Sequence, residues 1–81
     1  MKLIQRVNAI SSISKRIKYE VHNSEWLSSE STEYLDSIIE RAIIECEEAP
    51  DHDLEFDPLS FDSLKEFYDS MALYFIEIVS N

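Results

Sequence analysis

The densest run of chemistry-bearing side chains lies between Glu45 and Asp57. Seven of its thirteen residues are acidic: Glu45, Glu47, Glu48, Asp51, Asp53, Glu55 and Asp57. No Lys or Arg occurs between Arg41 and Lys65. Carboxylates at this density can hold a hard cation, move protons, or present negative charge to a basic surface. For the first use, Asp51, Asp53, Glu55, Asp57 and Asp62 fall at positions 1, 3, 5, 7 and 12 of a calcium loop. Phe56, however, stands where that loop needs glycine, and Asp62 stands where it needs a bidentate Glu. For the second, acid–base work needs carboxyls held in a water-excluding cleft, which a chain of 81 residues has little room to build. The third use remains. In extended backbone Asp51, Asp53, Glu55 and Asp57 project to one side roughly 6–7 Å apart, with His52, Leu54 and Phe56 on the other. Such a row resembles the charge of a nucleic-acid backbone and suits a basic groove on another protein. The plainer alternative is a solvated loop.

Other reactive types add little. His22 and His52 are the only histidines, and Cys46 is the only cysteine, so no internal disulfide and no four-ligand Cys/His zinc site can form. Cys46 follows Ala42 by one helical turn on an apolar stripe and reads as a core residue. No glycine is present. This removes the phosphate-cradling loops, whose backbone needs a residue without a side chain. No serine stands in the order of a Ser-His-Asp triad or on a nucleophile elbow. The expectation is no enzyme, no catalytic residue, no metal and no cofactor.

Charge is unevenly placed. The total is −10. Residues 1–24 hold Lys2, Arg6, Lys15, Arg16 and Lys18 against Glu20, a net of +4, and the remainder carries −14. An acidic surface repels phosphates, so a basic protein is a better partner than nucleic acid. No apolar run approaches the roughly 20 residues that span a bilayer. The N-terminus is amphipathic and basic, as a transit peptide is, yet its spacing continues past Glu20 as in an ordinary helix. A soluble, cytoplasmic chain is expected.

The elements that position these groups read as helices. Leu3, Val7, Ile10, Ile13, Ile17 and Val21 recur at three- and four-residue intervals, which predicts a helix over about 2–21. Capping and loop residues fill 22–32, where Trp26 and Leu27 are expected to fold back on the core. Tyr34, Leu35, Ile38, Ile39, Ala42, Ile43 and Cys46 predict a second helix over about 32–48, ended by Ala49-Pro50. The third starts near Asp62 or Ser63, where Ser63-Leu64-Lys65-Glu66 fits a capping box, and runs to the end. The chain therefore reads as a single all-α domain, a small three-helix bundle. The alternative is α+β, with residues 17–21 paired against 74–79.

Two surfaces follow as expected binding sites. The first comprises Glu45, Glu47, Glu48, Asp51, Asp53, Glu55, Phe56 and Asp57, with Leu54, Phe56 and Tyr68 as apolar anchors. Glu47 and Glu48 sit at a helix C-terminus, where the macrodipole favours cations; a sequence that breaks a local rule without visible compensation marks a candidate site. The second is Leu73 and Ile76, on the otherwise charged side of the last helix, as an interface of a homodimer or a larger complex. In composition alone, the chain resembles bacterial immunity proteins and phage-encoded inhibitors of host defence. That resemblance implies an inhibitor, of immunity, antitoxin or nucleic-acid-mimic type, docked on a nuclease or another nucleic-acid-handling protein. A structural or adaptor subunit is the alternative, and the basic first helix as a nucleic-acid or membrane binder is a third.

Overall fold

The computed structural model describes residues 3–27 and 29–80, without the side chains of Leu3, Ile4 and Trp26. The expected start of the first helix at Lys2, and the expected packing of Leu3 and Trp26, fall outside the described residues. Three helices make the fold: α1 (Leu3–Asn23), α2 (Thr32–Glu48) and α3 (Leu64–Ser80). Single 3-10 turns, Glu25–Leu27 and Asp51–Leu54, punctuate the connections. No strand occurs among the described residues, so the pairing of 17–21 with 74–79 does not form.

Local signals explain the boundaries. Ser31 caps α2 by accepting from the Tyr34 amide at 3.2 Å, which satisfies one of the amides that a helix start leaves unpaired. At the other end the Ala49 amide donates to the Cys46 carbonyl, and Pro50 prevents continuation. Half of the capping box of α3 forms as expected, and the Glu66 carboxylate reaches one residue further back than the N-cap. The Glu66 amide donates to Ser63 Oγ at 3.2 Å, and Glu66 Oε2 accepts from the Asp62 amide at 3.2 Å. α1 runs two residues beyond the predicted Val21. There Asn23 Nδ2 donates to the Tyr19 carbonyl at 2.8 Å and closes the last turn.

Each helix packs against the other two. Ile13, Ile17 and Val21 of α1, Ile38, Ala42 and Cys46 of α2, and Ala72, Phe75 and Ile76 of α3 form the core. Leu27 and Leu54, from the connections, complete it. Ile76 is 3% exposed, which corrects its assignment to an oligomer interface. The side of α3 that carries it is not the outer one. Asp69, two turns earlier, meets Arg16 of α1 at 3.2 Å, so α1 covers this face. A helix flanked by two neighbours buries a wider arc than one stripe, and Leu73 lies about 60° further round, just beyond it.

Cys46 is fully buried, as expected. Burial, with Glu47 next to it, pushes its thiol from 9.0 up to about 11, against a smaller opposing pull from Arg6. The raised value favours the protonated thiol in the folded chain. That contribution is complete below pH 9.0 and is lost as the pH rises through about 11. Denaturant melts at increasing alkalinity should therefore show a decline over this window, and Cys46→Ala should flatten it. An unchanged decline in the variant would place the alkaline sensitivity elsewhere.

Candidate functional site

The end of α2 and the connection to α3 carry the acidic residues, and folding divides them among different jobs. The extended row predicted for Asp51–Asp57 does not form. Asp51–Leu54 is a 3-10 turn, in which residues two apart no longer share a side. The reason is Leu54, which is buried in the core and winds the segment inward. Leu54 is therefore unavailable as an anchor for a partner.

Asp51 and Glu47 belong to an internal clasp. Arg6 Nη1 contacts Asp51 Oδ1 at 2.5 Å, and Arg6 Nη2 donates to the Glu47 carbonyl at 2.6 Å. The guanidinium thus sits at the C-terminus of α2, where a cation is favoured. The local rule that Glu47 and Glu48 break is compensated after all, by a residue 41 positions away from Glu47. Asp57 is also occupied. Its carboxylate accepts from the Leu59 amide at 3.0 Å and from Ser60 Oγ at 3.1 Å, which shapes the turn ahead of α3.

The remaining residues fall on two surfaces. Glu55 and Phe56 line a cleft of about 390 Å³ with Asn8, Leu64, Phe67 and Tyr68. Phe56 meets Phe67 edge-on, with ring centroids 6.1 Å apart. It is half-buried and forms a wall of this cleft, where the sequence suggested a projecting knob. Glu45, Glu48 and Asp53 line a second, shallower depression of about 290 Å³, together with Ala49, Tyr74 and Ile78. All three acids are exposed. Tyr74 is 53% and Ile78 42% exposed, one helical turn apart on the outer face of α3. This surface has an apolar centre, an acidic edge and no base.

Sequence reasoning missed Tyr74 and Ile78. Their four-residue spacing in the apolar half of α3 was a readable signal, but only the position of α2 shows that carboxylates flank them. Leu73, 52% exposed, remains on the outer face as expected. The calcium loop has no counterpart. Among the described residues, no three His, Cys, Asp or Glu side chains converge to hold a metal ion. His52 instead faces its neighbour Asp53, at 3.2 Å. No helix of the described residues is long and apolar enough to cross a membrane. In comparisons with known proteins, no family model, curated protein or solved structure matches the chain.

Proposed function

We propose that the chain is a non-enzymatic, acidic binding module that docks on a basic, nucleic-acid-binding surface of a partner protein, as an inhibitor of the immunity or antitoxin kind does. The observation that carries this reading is the surface where Glu45, Glu48 and Asp53 edge the exposed Tyr74 and Ile78. An apolar centre with a charged rim is the usual anatomy of a protein interface. Here the rim has one sign, so it complements a positive surface and speeds encounter with it. Asp51 and Asp57 contribute charge to the field but have their carboxylates held by internal bonds; at Glu47 only the backbone carbonyl is engaged.

The test uses two baits, the parent chain and a variant with Glu45→Gln, Glu48→Gln and Asp53→Asn. The three acids make no contact that holds the fold beyond the exposed Asp53–His52 pair, so the variant should keep its circular dichroism spectrum. Capture from the native host, followed by mass spectrometry, should retain a basic protein on the parent alone. With that protein purified, the variant should associate about tenfold or more slowly at low ionic strength, and salt should erase the difference. Ile78→Ala should raise the dissociation rate with little change in salt dependence. Equal capture by both baits would sink the proposal.

A second reading, a structural or adaptor subunit that assembles through α3, rests on the exposed row of Leu73, Tyr74 and Ile78. Light scattering distinguishes it. A larger species that Leu73→Glu with Ile78→Glu converts to the monomer supports assembly; a monomeric parent rules out self-assembly.

A further inference from the structure

The side of the molecule where α1 meets α3 has the opposite charge. Ser12, Lys15, Arg16 and Tyr19 of α1 and Lys65 and Tyr68 of α3 line an open cleft of about 530 Å³. Asp69 lies beside it, 3.2 Å from Arg16 Nε and 3.9 Å from Lys65 Nζ. Its half-buried carboxylate neutralises one of the three cations, which leaves the cleft at +2. Among the described residues Lys15 forms no ion pair, although the chain holds 17 acids for 7 bases. Tyr19 is 60% exposed, and Tyr68 is half-buried. Cations, a serine hydroxyl and two tyrosine side chains within one cleft match the two halves of a nucleotide.

We propose that this cleft binds a nucleotide, its phosphate on Lys15 and Lys65 and its base against the tyrosines. Ammonium groups recognise phosphate as point charges, and aromatic rings accept any base through its π-face. The net charge of −10 does not forbid this. At physiological ionic strength charges more than about 8 Å away are largely screened, so the local sign decides. The same total charge limits the ligand's length, because a long strand would run onto acidic surface. The volume falls within the roughly 300–1,000 Å³ of small-molecule sites. The inference is independent of the acidic docking surface, which shares α3 with this cleft but none of its lining residues.

The test follows amide chemical shifts of the ¹⁵N-labelled chain during titration with adenosine monophosphate, adenosine, inorganic phosphate and a short oligothymidylate. Adenosine monophosphate should move Ser12, Lys15, Tyr19 and Tyr68. It should bind at least about tenfold more tightly than adenosine or phosphate alone, since both halves contribute. The double variant Lys15→Ala with Lys65→Ala, its helicity checked by circular dichroism, should lose the response. Tyr19→Ala should weaken the nucleotide and leave phosphate unchanged. Tighter binding of the oligothymidylate would identify a strand segment as the natural source of the same chemistry. No shift at these residues with either nucleotide probe, an undiminished response in the double variant, or phosphate binding as tightly as the nucleotide overturns the proposal.

Discussion

Replacing Ile76 with lysine should unfold the chain, whereas the same change at Leu73 should leave it folded. The two positions are three residues apart on α3, but Ile76 is 3% and Leu73 52% exposed. Ile76 lies among apolar side chains of the core, which offer no acceptor to a buried ammonium. An unpaired buried charge costs more than a small domain's few kcal/mol of net stability. The milder Ile76→Ala should cost about 2–5 kcal/mol through lost burial and the cavity left behind. For a domain this size that lowers Tm by about 10 °C or more. Thermal melts followed by far-UV circular dichroism read both outcomes. A parent-like melt for Ile76→Lys would mean that this face of α3 is turned outward.

Arg6→Met should lower stability by about 2 kcal/mol. Methionine keeps the apolar stem and removes the guanidinium, which bonds both Asp51 and the Glu47 carbonyl. Asp51→Asn removes only the ion pair, whose carboxylate is half exposed, and should cost less than about 1 kcal/mol. The difference between the variants isolates the bond to the end of α2, which leaves a helix carbonyl unpaired and Glu47 and Glu48 facing the negative end of the dipole. Arg6→Lys should recover part of the loss, since one ammonium cannot reach both acceptors with the geometry of a fork. Urea melts of the three variants provide the comparison. Equal losses for Arg6→Met and Asp51→Asn would show that the carbonyl bond contributes nothing.

The helices were legible because their signals are local. α2 spans Thr32–Glu48 as its apolar spacing predicts and stops before Pro50, and Ser63 caps the start of α3 as expected. What depends on neighbours was not legible. A helical wheel shows that Ile76 stands with Asp69 and Lys65, but not that α1 lies against that side and pairs Arg16 with Asp69. Alternation suggested an extended acidic segment, because polar and apolar residues alternate from Asp51 to Asp57. Burial of Leu54 overrode it with a turn. The compensation of Glu47 and Glu48 by Arg6 spans α1 and α2, beyond any sequence window. The acidic character of the candidate site was readable, while its division into clasp, turn and open surface was not.

The absence of glycine has a consequence in the state the chain leaves when it folds. Among the described residues every φ is negative, and the caps Ser31, Ala49 and Pro50 all take extended backbone. No described residue of the connections uses a conformation that only glycine tolerates. Each residue that is not glycine narrows the unfolded ensemble, by about 0.4–1 kcal/mol for an exchange of glycine for alanine. A chain of this length with glycine at ordinary frequency, about 7%, would carry several such losses of order. Part of the stability of this small core therefore lies in how little freedom its unfolded chain has to give up.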